Sequence, residues 1–141
     1  MNSSNRAMMR KEDYETYLEL ESVVQEMDDS VDAVVVEGTH DKAALVEMGI
    51  TKEIAMYSSG FSYVNLVDYL RSSHKRVAIL TDYDRAGKKF NKKLTARLEC
   101  EGVKVERMYR EEIGRILGIR GMKSIESINS FRNKVFASQK L

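Results

Sequence analysis

Two acidic residues separated by a single residue, Asp82 and Asp84, carry the clearest chemical signal in this 141-residue chain. They follow the apolar run Val77–Leu80, and a glycine and several lysines come shortly after them. Two carboxylates with this spacing can face one point where a strand ends in a loop. Carboxylate oxygens are the ligands that hard divalent cations such as Mg²⁺ prefer. The spacing therefore predicts a metal site at the end of this strand.

A third acid follows an earlier strand. Ala33–Val36 is a short β-branched run without alternation, which is typical of a strand buried on both faces of a parallel sheet, and Glu37 comes directly after it. In open α/β sheets, ligands bind outside the carboxyl ends of the strands. If the two strands are neighbours, about 4.8 Å apart, Glu37, Asp82 and Asp84 should converge on one pocket. A cation would relieve their mutual repulsion, and one carboxylate would stay free for proton transfer.

Neighbouring residues could contact a phosphate. Gly38, Gly60 and Gly87 can bring the backbone close to a ligand, and helix amino termini bind phosphate. Asp41, four residues after Glu37, could join the site, but a favourable position near a helix dipole explains it equally well. The alternatives stay open for the other residues too, because acids at strand ends are often helix caps and glycines are often turn residues.

The helix predicted over about residues 85–100 is strongly basic, with no acid before Glu99. A charge run is usually a solvated helix face, but beside an acidic metal pocket it could follow a phosphate backbone. Tyr83, between the two acids, could stack on a base, although packing against the sheet is favoured. The residues predicted to bind phosphate on this helix are Arg85, Lys88, Lys89 and Lys92.

The elements that position these residues alternate along the chain. A helix is predicted at about residues 11–27, and strands then alternate with helices at a spacing of roughly 20–27 residues. This pattern indicates βαβ units and a parallel sheet. The alternating run Val103–Met108 predicts an edge strand, and short helices at about residues 111–117 and 124–136 follow it.

Composition limits the class of protein. With 43% hydrophobic and 32% charged residues, the chain is expected to fold as one globular α/β domain over residues 1–141. Its core spans about residues 31–108, and residues 109–141 form a helical carboxyl-terminal extension. The net charge of +1 means that any attraction for nucleic acid must be local. The single cysteine, Cys100, excludes an internal disulfide and favours a cytoplasmic location, and no apolar run approaches the ~20 residues of a membrane span.

Two segments, Val34–Asp41 and Leu80–Gly87, together resemble the paired motifs of the Toprim family of topoisomerase, primase, recombination and nuclease domains. The resemblance covers about residues 33–108. It implies the Toprim fold, a compact α/β sheet of about four parallel strands flanked by helices. It also implies that Glu37 is a general acid or base and that the acidic pair holds Mg²⁺, with Mn²⁺ as a substitute. Gly38, Asp41 and Gly87 match recurrent positions of the family.

The resemblance also narrows the expected activity. The chain lacks the strand-gate domain of topoisomerases and the zinc-binding domain of primases, so it is most similar to small stand-alone Toprim proteins, found especially in archaea. These resemble the Toprim half of the nuclease that matures 5S ribosomal RNA, without its large RNA-gripping region. The implied activity is Mg²⁺-dependent phosphoryl transfer on nucleic acid by a nuclease of RNA processing, with RNA favoured over DNA and a protein partner possible.

A second class of protein is compatible with the same motifs. This alternative is a non-catalytic, metal-binding module for nucleic-acid binding or assembly. A phosphoacceptor receiver domain does not fit, because it expects an acidic pair after the first strand and a lone aspartate after the third. The sequence does not predict an oligomeric state.

Overall fold

Four parallel strands form the sheet at the centre of the protein. The computed structural model describes residues 3–58 and 62–139, with side chains from residue 11 to 58 and from 62 to 137. All neighbouring strands pair in parallel in the order β2-β1-β3-β4, so the predicted α/β fold with a four-stranded parallel sheet is confirmed. The strands are β1 (Ala33–Val36), β2 (Glu53–Met56), β3 (Arg76–Ile79) and β4 (Lys104–Val105).

Helices cover both faces of this sheet. Val34 and Val36 of β1 pack against one set of helices, whereas Ala33 and Val35 pack against the other. Because both faces are buried, β1 is apolar at every position. Within the described ranges, no helix combines the length and the apolar character needed to cross a membrane. The first set is α1 (Ser3–Ser30), α2 (Thr39–Glu47), α5 (Arg107–Ile119) and α6 (Ser127–Gln139), and the second is α3 (Tyr63–Ser73) and α4 (Arg85–Cys100).

Some element boundaries differ from the sequence prediction. The helix α1 extends beyond the predicted residues 11–27 at both ends. The predicted edge strand Val103–Met108 is paired only at Lys104–Val105, and α5 begins at Arg107. The chain is helical rather than extended from Arg107 onward because Tyr109 and Ile113, at helical spacing, are buried in the core beside α1.

The direction in which successive strands are added to the sheet reverses between β1 and β3. From β1 it runs outward to β2 on one side, and from β3 it runs outward to β4 on the other. Such a switch point opens a crevice at the carboxyl ends of the two central strands. The pairing of β1 with β3 continues past the last strand residues, because Leu80 N–H donates to Val35 O at 2.8 Å. The loops that follow these two strands therefore start side by side.

Gly87 fixes the start of α4 against the loop that follows β3. A Cβ atom at this position would lie 2.0 Å from the backbone oxygen of Asp82, so no other residue fits without a shift of backbone. The contact is reinforced because the Thr81 hydroxyl donates to Gly87 O at 2.7 Å. Gly87 thus serves close helix–loop packing.

Substituting Gly87 by alanine should destabilise the protein by roughly 2–3 kcal/mol, because the new methyl group must displace the backbone of Asp82. Gly118→Ala is the matched control. Gly118 lies in α5, and a Cβ atom there would meet nothing within 4 Å, so alanine should be neutral or stabilising by about 0.5–1 kcal/mol. Urea unfolding of both variants measures the difference, and equal stabilities would contradict the packing described.

Candidate metal centre

Three carboxylates meet in the crevice between β1 and β3. One oxygen each from Glu37, Asp41 and Asp82 lies within 4.8 Å of the others. Glu37 follows β1, Asp82 lies in the loop after β3, and Asp41 comes from the first turn of α2. Asp41 is buried, while the other two are partly buried. This set of hard oxygen donors suits a divalent cation.

Backbone amides hold the three side chains in place. Gly38 N–H donates to Asp41 Oδ2 at 3.0 Å, and Ile125 N–H donates to Asp82 Oδ1 at 3.0 Å. The Asp82 N–H group approaches Glu37 Oε2 at 3.4 Å. These bonds orient the carboxylates without bringing a neutralising side-chain charge into the cluster, so the oxygens stay available to a cation.

Asp41, and not the predicted Asp84, completes the set of carboxylate oxygens that lie within 4.8 Å of one another. Asp84 is the residue that caps α4, and its Oδ1 atom accepts the Gly87 N–H at 2.7 Å. A capping side chain folds back over the first turn of its helix. Asp84 is therefore a helix cap, and its predicted role at the metal stays a prediction.

The other residues predicted to contact phosphate have mixed positions. Gly38 caps α2 with its N–H bound to Asp41, and the N–H of Gly87 is occupied by Asp84. Gly60 lies outside the described residues. All four basic residues at the start of α4 are exposed, and none forms an ion pair within the described part of the chain: Arg85, Lys88, Lys89 and Lys92.

A buried arginine supports the loop after β3. Arg110, in α5, donates to the backbone oxygen of Asp82 at 3.0 Å and, through its other terminal nitrogen, to that of Thr81. Burial lowers the pKa of Arg110, while the negative charges of Glu37 and Asp82 act the opposite way. The sequence reasoning missed this residue because it lies 28 positions from Asp82, in a helix that was predicted to begin after it.

Tyr83 is packed in the protein, where it contacts α5 and the core on that face of the sheet. Its hydroxyl donates to Arg110 O at 2.7 Å, and burial raises its pKa. A Cβ atom at Gly114 would lie 2.5 Å from the ring, so the small residue makes room for it. The Tyr83 N–H donates to Lys123 O at 2.7 Å, which connects the segment before α6 to the acidic loop.

Burial and repulsion raise the pKa of Glu37 from its ordinary 4.5 to about 7. Loss of water around the carboxylate is the largest cause, and the hydrogen bond and the charge of the Asp82 carboxylate add to it. Burial also raises the pKa of Asp41, opposed by the Gly38 N–H and reinforced by Asp82. The cluster therefore holds an excess of negative charge that a bound divalent cation would relieve.

A parallel sheet with acids at the ends of its two central strands defines a metal-site domain of the Toprim class. The sequence profile of the Toprim-like family matches residues 34–113, more than half of the chain. The chain belongs to the Toprim-like family, as its two motifs predicted. Membership of this class indicates divalent-metal binding at the acidic cluster and a role related to nucleic acid.

Several relatives are archaeal proteins of similar length. A UPF0292 protein of Pyrococcus horikoshii is 31% identical over 86% of this chain and 89% of the relative. A UPF0292 protein of Thermococcus gammatolerans is 32% identical over 90% of this chain and 91% of the relative. A solved structure of a protein from Aquifex aeolicus has a TM-score of 0.62 and 28% identity, covering 75% of this chain and 94% of that one.

Metal affinity should rise with pH as Glu37 loses its proton. Below the Glu37 pKa of about 7, the affinity should increase about tenfold per pH unit, because one proton must leave for each ion bound, and it should level off above that pH. Calorimetric titration with MnCl₂ across this range measures the slope. Glu37→Gln should flatten it, and a pH-independent affinity of the unaltered protein would contradict the assignment.

The same proton changes the stability of the metal-free protein. Because the pKa of Glu37 is about 7 in the native state and 4.5 ordinarily, the native protein holds a proton that the unfolded chain has released between these values. Raising the pH through this window should therefore lower the free energy of unfolding. Urea unfolding of Glu37→Gln should show a weaker decline, and a steeper one would reverse the sign argued here.

Proposed function

We propose that this protein is a Mg²⁺-dependent nuclease, with RNA favoured over DNA and Mn²⁺ able to replace Mg²⁺. The observation that carries the proposal is the meeting of Glu37, Asp41 and Asp82 within 4.8 Å at a crevice bordered by the exposed basic start of α4. An anionic pocket that binds only a metal ion needs no cationic border. A phosphate backbone needs both, since the ion and the lysines neutralise different phosphate oxygens.

The three carboxylates and Asp84 have different roles in this proposal. Asp41 and Asp82 hold the ion together with Glu37, and a bound ion supplies Lewis-acid stabilisation of charge on the phosphate oxygens. Glu37 would also serve as the general acid or base, because its carboxylate lies where the ion and the scissile phosphate would meet. Asp84 shapes the loop through its cap on α4.

The basic residues of α4 position the substrate. Lys88, Lys89 and Lys92 lie within little more than one helical turn, so their side chains spread over a strip of surface that begins beside the acidic loop. Arg85 extends this strip at the start of the helix. Because none of the four is committed to an ion pair within the described residues, their charges are available to phosphates. The strip would hold the backbone while the scissile phosphate lies at the metal centre.

Labelled single-stranded RNA and DNA should be cleaved in Mg²⁺ or Mn²⁺ and left intact in EDTA. Asp82→Asn should lower cleavage by about a hundredfold or more, because the cluster loses a charged ligand. The fold should persist, since an asparagine oxygen can still accept the Ile125 N–H. The control is Asp29→Asn, which removes the same charge from an exposed position near the end of α1. Undiminished cleavage by Asp82→Asn would rule out the mechanism, and binding without cleavage by the unaltered protein would indicate a non-catalytic module.

Asp84→Asn separates capping from metal binding. Asparagine caps helices about as well as aspartate, so this variant should keep its stability and lose less metal affinity and cleavage than Asp82→Asn. Side-by-side calorimetry and cleavage assays measure the ranking. A loss as large as that of Asp82→Asn would place Asp84 among the direct ligands.

A further inference from the structure

A cavity of about 750 Å³ opens between α4 and α5, beside β4. Its volume is within the range of sites that enclose small organic molecules. Ile79, Val105 and Ala96 supply apolar surface, while Asn91 and Thr95 add polar groups from α4. An apolar floor with a few polar groups suits a flat aromatic ligand that carries hydrogen-bonding edges.

The rim of this α4–α5 cavity is mainly cationic. Lys88 and Lys92 line it from α4, and neither forms an ion pair within the described residues. Arg107 and Arg115 line it from α5, but their charges are shared with acids of α4, α1 and α5. Free positive charge is thus concentrated on the α4 side, where an anionic group of a ligand would lie.

Two acids also line the cavity, Glu106 and Glu111. Glu106 is paired with Arg76, whereas Glu111 is exposed. Carboxylates disfavour a ligand that is anionic throughout, such as a bare polyphosphate. They can accept hydrogen bonds from the amino groups of nucleobases. The lining therefore matches a ligand with phosphate at one side and a base at the other.

The cavity and the metal centre share a wall. Tyr83 lines the cavity and directly follows Asp82, and Arg110 lines it while donating to the backbone oxygen of Asp82 at 3.0 Å. Lys88 lies in the first turn of α4, at the same edge of the sheet. A ligand in the cavity is therefore next to the loop that carries one of the three carboxylates.

We propose that the α4–α5 cavity binds one unpaired nucleotide of a single-stranded nucleic acid whose backbone passes along Lys88 and Lys92 to the metal centre. The inference rests on the proposed action on nucleic acid and adds a binding subsite to it. The base enters the apolar floor, and its neighbouring phosphates lie on the α4 rim. A base must be unpaired to leave its stack and enter such a cavity, so a single strand is the ligand and a duplex is not.

The test is binding of a short fluorescein-labelled oligonucleotide, followed by fluorescence anisotropy in EDTA, so that metal chemistry plays no part. Ala96→Trp places a large side chain at an exposed position in the cavity lining and should weaken binding of single-stranded RNA about tenfold. Ser22→Trp introduces the same residue on the exposed face of α1 and should leave binding unchanged. Circular dichroism shows whether both variants remain folded.

Two charge-reversal variants provide a second test in case Ala96→Trp does not fold. Lys92→Glu should weaken binding and reduce its salt dependence, whereas Lys104→Glu, an equal charge change outside the cavity, should have the smaller effect. Wild-type affinity in Ala96→Trp or equal losses in the two lysine variants would overturn the inference, as would equal binding of a duplex or of adenosine monophosphate. If the protein cleaves RNA in a metal-dependent way but Ala96→Trp binds normally, the nucleotide subsite is ruled out and the nuclease proposal stands. If Ala96→Trp weakens binding but the unaltered protein does not cleave, the nuclease proposal is ruled out and the subsite stands.

Discussion

The parallel pairing of β1 with β3 is the constraint on which the site depends. The ladder that ends with Leu80 N–H on Val35 O, at 2.8 Å, delivers Glu37 and Asp82 to one edge of the sheet although they are 45 positions apart. Like charges so placed repel, and this repulsion adds to burial in raising the pKa of Glu37. The fold tolerates the repulsion because two apolar layers hold the strands from both faces.

The acidic edge also needs a stiff frame around it. Gly87 lets α4 begin against the backbone of Asp82, and Arg110 binds the same backbone from α5. Each contact acts on main-chain atoms, so the carboxylates themselves remain open towards the crevice. Ligand groups held by such supporting contacts keep their orientation when a cation arrives, which lowers the ordering cost of binding.

Much of this arrangement could be predicted from the sequence. Uninterrupted apolar runs with acids at their ends identified the two central strands, and the βαβ pattern predicted a parallel sheet that would bring Glu37 and Asp82 to one edge if the strands were neighbours. The sequence left the contribution of Asp41 open, since a position near a helix dipole explained it equally well. Asp41 and Asp84 both follow a strand by a few residues, and both accept an N–H at the start of a helix. Only the folded geometry therefore shows which carboxylate lies within 4.8 Å of Glu37 and Asp82. Arg110 was hidden for a similar reason, since long-range contacts to backbone leave no periodic pattern.

The segment that precedes α6 has a consequence for how this fold can be divided. Lys123 and Ile125 lie after residue 113, where the family match ends, and they hold the acidic loop through hydrogen bonds to Tyr83 and Asp82. A protein truncated at residue 113 would keep all four strands but would lose the Ile125 N–H that donates to the Asp82 carboxylate. Grafting the acidic edge onto another scaffold would for the same reason require importing a distant piece of chain, so the working unit is larger than the sheet and its crossovers.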